Sequence, residues 1–180
     1  MRFKFKTNLV SKQKGLSLVE LLIATTLTVL IGSVMLDFYI SQHNQFLVQE
    51  EISDMQQNGR IAMDEIATNI RKAGYGLTGQ PSIFVGTDTL RVYFKCGSQI
   101  DTISYYISRI DALHPNLMKK VSSGSAQVFA ENIDSLKFTQ SGKLIYVRIV
   151  AREGTKDDHF IGDKYRRRIL CSNVQMRNNL

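Results

Sequence analysis

Two hydrophobic patterns follow one another along the first part of this chain, and a third begins after residue 76. From Leu16 to Ile40 the sequence reads LSLVELLIATTLTVLIGSVMLDFYI, 25 residues interrupted by charge only at Glu20 and Asp37. A helix over this run is apolar all round and about 37 Å long, enough to cross a hydrocarbon core of ~30 Å with some tilt. From Ile52 the apolar or small residues fall at Ile52, Met55, Gly59, Ala62, Ile66, Ile70 and Ala73, in steps of three and four. Glu51, Asp54, Gln57, Arg60, Asp64, Glu65, Asn69, Arg71 and Lys72 occupy positions between them. That spacing makes one buried stripe on an amphipathic helix. No proline occurs before Pro81, and Gly74 with Gly76 is a stop signal. The pattern therefore predicts a single helix over 16–73, roughly 87 Å long if straight. Gly32-Ser33 is the expected place for a bend, and Gly59 a second weak point. A coiled coil with another chain would use the same stripe, but packing on the chain's own domain is the favoured reading.

After Gly76 the period changes from helical to alternating. Leu90–Lys95, Thr102–Ser108, Leu117–Val121, Ser135–Thr139, Leu144–Ala151 and a segment around Arg168–Met176 are β-branched and aromatic, and Gly, Asn, Ser and Asp separate them. In the fifth, Leu144, Tyr146 and Arg148 alternate with Ile145, Val147 and Ile149. One long helix followed by strands is an α+β order, with a small antiparallel sheet over 76–180 packed on the striped half of the helix.

Charge changes this picture at the N-terminus. The chain carries a formal +7, which first suggests nucleic acid. Arg2, Lys4, Lys6, Lys12 and Lys14 lie within 1–15 without a single acid, and beyond them 18 basic and 16 acidic side chains leave only +2. The basicity belongs to the leader and weighs against nucleic acid as a partner. Lysines and arginine ahead of an apolar run predict a cytoplasmic N-terminus and an exported remainder. A cleaved secretory signal fits less well, because no A-x-A-like site follows a short apolar core; Gly32-Ser33 lies inside the run.

Glu20 is the residue that needs explaining. A carboxylate at a bilayer centre costs about 2.5–3.5 kcal/mol on insertion scales, and an intramembrane acid calls for a partner. A basic leader ending in Gly15, then Leu16-Ser17-Leu18-Val19-Glu20 and a membrane-length apolar run, closely resembles the type IV prepilin signature. The resemblance implies cleavage between Gly15 and Leu16 by a prepilin peptidase and N-methylation of the new terminus at Leu16. It also gives Glu20 a partner, the terminal amine of a neighbouring subunit, as fifth residue of the mature chain. Breaking such a pair in an apolar setting is costly, so it would favour assembly in register. Leu16 stands where the family usually has phenylalanine, and the helix lacks the proline found in many pilins.

Within that group, "RIAMDEIATNIRKAGYG" (60–76) is similar to the helix end of PilW-type minor pilins, carried here by Arg60, Arg71, Ala73, Gly74 and Tyr75. "ENIDSLKF" (131–138), "YRRRIL" (165–170) and "VQMRNN" (174–179) resemble later stretches of the same proteins. The resemblance implies a pilin-like α+β fold with a prepilin leader at 1–15, a membrane and filament-core half-helix at 16–40, an amphipathic half at 41–75 and a periplasmic domain at 76–180. It implies a single-pass inner-membrane protein that joins other minor pilins, the major pilin and the assembly platform, and helps initiate the pilus. Two alternatives stand beside it. One is a minor pseudopilin of type II secretion, whose J-type subunit has a related layout. The other is a membrane-anchored periplasmic binding module that never polymerises and keeps its N-terminus.

Catalytic chemistry finds no motif. His43, His114 and His159 are isolated, and no nucleophile elbow, phosphate loop or dinucleotide fingerprint occurs, so no enzyme activity and no cofactor are expected. In "EGTKDDHFIGD" (153–163), Asp157, Asp158 and Asp163 lack the spacing of a calcium loop and read as a solvated turn. Arg166-Arg167-Arg168 reads as a solvated or subunit-facing edge, with Arg167 opposite its neighbours, rather than as a DNA contact. Cys96 and Cys171 both fall in the part assigned to an oxidising compartment. A disulfide between them would close a 75-residue separation and contribute around 4 kcal/mol on the loop-entropy model, if their Cα atoms approach.

Overall fold

The computed structural model describes Gly15 and residues 17–79, 81–111, 113–157 and 160–178. Leu16, with the leader at 1–14, lies outside the described residues. The chain divides into two compact units between Phe46 and Leu47.

Helix α1 runs Leu18–Lys72 without interruption, through both Gly32-Ser33 and Gly59. The Ser17 carbonyl accepts its first helical hydrogen bond, from Leu21 N–H at 3.1 Å. The helix ends where the sequence places its stop. Gly74 and Gly76 adopt positive φ, 78° and 67°, a conformation that glycine enters without a Cβ penalty. The Gly74 N–H leaves the helix to bond Tyr93 O at 2.9 Å, and Lys95 N–H returns to Tyr75 O at 2.8 Å. The exit of α1 is thus stitched to a strand.

Eight strands follow among the described residues: β1 Ile83–Val85, β2 Thr89–Cys96, β3 Gln99–Ser108, β4 Asn116–Val121, β5 Gln127–Ala130, β6 Ile133–Ser141, β7 Leu144–Arg152 and β8 Arg167–Gln175. Six are the segments read from the sequence. The single sheet expected there is instead two antiparallel meanders, β1-β2-β3-β4-β5 and β6-β7-β8. The break falls at Asn132, which holds a positive φ of 56° and turns the chain out of the first sheet. From there Ile133 N–H bonds Pro115 O and Arg152 N–H bonds Asn132 O, so β6 starts a new ladder with β7 while lying beside β1–β4.

In the second unit the helical stripe and both sheets share one core. Met55, Ala62, Met63, Ile66, Ala67, Ile70 and Ala73 meet Leu90, Val92, Ile103, Tyr105 and Leu117 of the first sheet and Ile145, Val147, Ile149 and Val174 of the second. The alternation expected in β7 is present, with Ile145, Val147 and Ile149 buried and Leu144 and Tyr146 exposed. Gly59 is no weak point. A Cβ there would lie 2.7 Å from Leu170 Cδ1 and 3.4 Å from the Ala151 Cβ, so its missing side chain is what lets β7 and β8 approach α1.

Candidate functional site

The candidate site is the apolar first part of α1 with the acid in its first turn. Among the described residues this is the one helix long and apolar enough to cross a membrane. From Ser17 to Phe46 every described residue except half-buried Gly32 is exposed, including Leu18, Val19, Leu22, Leu30, Met35 and Phe38. Aliphatic surface of that extent is tolerated only in an apolar surrounding.

The polar groups inside the run are prepared for such a surrounding. Thr25 and Thr26 hydroxyls both donate to Leu22 O, at 3.0 and 2.8 Å; Thr28 donates to Ala24 O at 2.8 Å and Ser33 to Leu30 O at 2.8 Å. All four aliphatic hydroxyls between Leu18 and Ile40 are therefore satisfied by their own helix, as a lipid-facing hydroxyl must be. At Gly32-Ser33, the expected bend, this hydrogen bond sits inside an unbroken helix.

Glu20 is exposed and lies in the first turn of α1. With Ser17 as the residue whose carbonyl opens the helix, Glu20 occupies the third helical position, the S-x-x-E spacing of a capping box. A carboxylate here faces the positive end of the helix dipole. This is a local reason for the acid that pattern reading had not supplied. Gly15 is exposed with nothing within 4 Å of where a Cβ would stand; the neighbouring Leu16, the expected methylation site, lies outside the described residues.

The striped half of α1 is fixed in its own unit by a polar cluster. Glu65 Oε1 accepts from Lys119 Nζ of β4 at 2.5 Å, from Asn69 Nδ2 at 2.9 Å and from the Tyr105 hydroxyl of β3 at 3.3 Å. Asn69 Nδ2 also lies 2.7 Å from the Tyr105 oxygen, and Lys119 stands 5.5 Å over the Phe129 ring. The Lys119 ammonium holds the Glu65 carboxyl below its ordinary pKa, and burial pushes the Tyr105 hydroxyl up, with the Glu65 charge adding to it. Asn69 and Glu65 were placed on the outward face by the pattern; Asn69 is buried and Glu65 is partly so. Their spacing of four residues was the available signal.

Two residues of the arginine run are paired with acids. Arg166 pairs with Asp157 and, at 3.7 Å, with buried Glu153. Arg167 Nε bonds Asp134 at 3.0 Å and its Nη atoms bond Asp163. Arg167 holds the Asp163 carboxyl down to about 2, whereas burial raises that of Glu153. Arg167, Arg168 and Asp163 are exposed, as a solvated edge and turn would have them, whereas Arg166 and Asp157 are half-buried; what the sequence did not show is that the arginines and acids pair with one another. Asp158 and His159 lie outside the described residues. Among the described residues no group of three metal-ligating side chains converges. His43 stacks on Tyr39 and His114 pairs with Asp111.

Cys96 and Cys171 do not form the disulfide considered from the sequence. Both are free and exposed, Cys96 at the end of β2 in one sheet and Cys171 on β8 in the other. The Cys171 sulfur instead receives the Tyr146 hydroxyl at 2.9 Å.

Comparison with protein-family models, with curated proteins and with solved structures finds no match to this chain.

Proposed function

We propose that this chain is a type IV prepilin-like subunit, a minor pilin of PilW type that helps initiate pilus assembly. The observation that carries the reading is Glu20. It is the lone acid of Leu16–Leu36 and stands in the first turn of an exposed apolar helix, five residues beyond a glycine that ends a basic leader. In this reading the prepilin peptidase cuts between Gly15 and Leu16 and Leu16 is methylated. The apolar half-helix rests in the inner membrane, with the leader cytoplasmic and the β-rich unit periplasmic. On assembly, such helices bundle with those of other minor pilins and the major pilin, and Glu20 meets a neighbour's terminal amine in place of lipid. The self-satisfied hydroxyls at Thr25, Thr26, Thr28 and Ser33 suit both environments.

The deciding experiment is intact-mass and N-terminal peptide mass spectrometry of the protein from its host's membranes. A chain beginning at N-methylated Leu16 supports the proposal. A chain retaining Met1–Gly15 overturns it in favour of a membrane-anchored module that does not polymerise. Gene neighbours separate pilus from type II secretion use.

A further inference from the structure

The outward face of the first sheet carries a pattern that neither anchoring nor assembly uses. Leu90, Val92, Ile103, Tyr105 and Leu117 point to the core. Their alternation partners form the other face, and register fixes the rows: Phe84 beside Arg91, Arg91 beside Ser104 and Ser104 beside Lys120. Next to that row Tyr93 pairs with Thr102, and on its other side Thr89 pairs with Tyr106. Arg91 and Lys120 are exposed, and the Arg91 guanidinium lies 5.7 Å over the exposed Phe84 ring. Along the β2, β3 and β4 positions of this face there are cations at Arg91, Lys95 and Lys120 and no carboxylate.

Two depressions of about 730 and 460 Å³ lie on this surface and share Thr89, Arg91 and Tyr106. Asp88 and Arg109 stand at the far end of the smaller one, and Asp101, beside the larger, is engaged by the Ser122 hydroxyl. Tyr93 and Tyr106 are half-buried, roughly 14 Å apart by four residues along and one strand across. No hydrogen bond among the described residues uses the hydroxyls of Thr89, Thr102, Ser104 or either tyrosine.

We infer that this face binds an anionic polysaccharide, a chain of carboxylate-bearing pyranose rings. The unopposed cations complement a regular line of carboxylates. A tyrosine ring offers a flat, electron-rich face to the apolar C–H face of a pyranose. The free hydroxyls both donate and accept, which matches sugar hydroxyls; a phosphate backbone only accepts and would leave half of that capacity unused. An aromatic and basic sheet can also stack single-stranded nucleic acid, so that polymer is the competitor in the test.

The test uses the full chain in uncharged detergent micelles, with binding measured calorimetrically for polygalacturonate, neutral dextran and oligo(dT). Polygalacturonate is expected to bind, dextran not to, and oligo(dT) to bind more weakly. Arg91→Ala with Lys120→Ala should weaken polygalacturonate binding by about tenfold or more. Lys137→Ala with Arg148→Ala, which removes the same charge from the outer face of the second sheet, should leave it unchanged. Tyr106→Ala should weaken it and Tyr106→Phe restore it. No binding of polygalacturonate, equal loss from both charge pairs, or tighter binding of oligo(dT) each overturns the inference. Because the four surface cations lie away from the core, their variants remain informative even if Tyr106→Ala misfolds.

Discussion

Gly59 and Leu170 meet with no room for another carbon between them: a Cβ on the glycine would stand 2.7 Å from the leucine Cδ1. Ordinarily an alanine would stabilise a helix interior over glycine by about 1 kcal/mol. Here that gain is set against overpacking, and a branched side chain has no outlet because the Ala151 Cβ closes the other side. Gly59→Val is expected to destabilise the second unit by about 2 kcal/mol. Adding Leu170→Ala should recover part of that loss. Urea unfolding of the four species in a double-mutant cycle reads the coupling; simple additivity would mean that the contact does not limit the packing.

The Glu65 cluster predicts an acid-sensitive step. The Glu65 pKa is lowered in the folded state, chiefly by Lys119. Its contribution is therefore present above the ordinary carboxylate range and lost as pH falls through the lowered value. Both partners are about one-quarter exposed, so Lys119→Met should cost only about 1 kcal/mol at neutral pH. Its diagnostic effect is a flatter stability profile below pH 5, followed by tryptophan-free near-ultraviolet circular dichroism of the tyrosines.

Arg166 predicts the opposite slope. Glu153 is 3% exposed, and its pKa is raised by burial despite the arginine. A carboxyl raised in the folded state binds more protons folded than unfolded, so stability falls as pH rises through that window. Arg166→Met removes the cation and should destabilise by about 3 kcal/mol near pH 7. Part of that loss should return as pH is lowered toward 5. Thermal unfolding at the two pH values checks the sign.

Glu20 can be tested so that its two roles separate. Glutamine fills the capping-box position nearly as well as glutamate but carries no charge. Glu20→Gln should leave helix content and the stability of the second unit unchanged while reducing incorporation into pili as severely as Glu20→Ala. Quantitative immunoblotting of sheared pili against membrane-retained subunit measures this. Wild-type incorporation of Glu20→Gln would assign the residue to helix capping alone. Gly15→Ala is the companion variant and should leave the leader attached.

Much of this fold was legible because α1 and the longer strands bury whole faces. The stripe from Met55 to Ala73 is visible in the sequence because every third or fourth residue meets the core. Strands β1 and β5 were missed because three and four residues, Ile83–Val85 and Gln127–Ala130, are too short for alternation to register. The second sheet was hidden for another reason: which strands pair is settled by a local turn at Asn132 and by distant partners, and periodicity carries neither. Polar pairs suffered likewise. Arg167 is the exposed strand residue its position suggests, but its pairing with Asp134 and Asp163 appears only once the fold brings them beside it. At the candidate site, Gly15 and Glu20 were legible as a spaced motif, whereas the capping position of Glu20 depends on where α1 begins.

The contact between Gly59 and Leu170 also sets an order of events during synthesis. The helical surface around Gly59 leaves the ribosome early, but the strand that covers it, β8, is made after the seven others. Until then only Ala151 of β7 flanks that surface, and closing it requires a long chain segment to return, the slow class of contact in folding. Nascent chains halted before Arg167 would expose an apolar helix stripe to whatever chaperone or membrane is nearest. Closure of this core thus waits on the last described strand, whatever has been built before it.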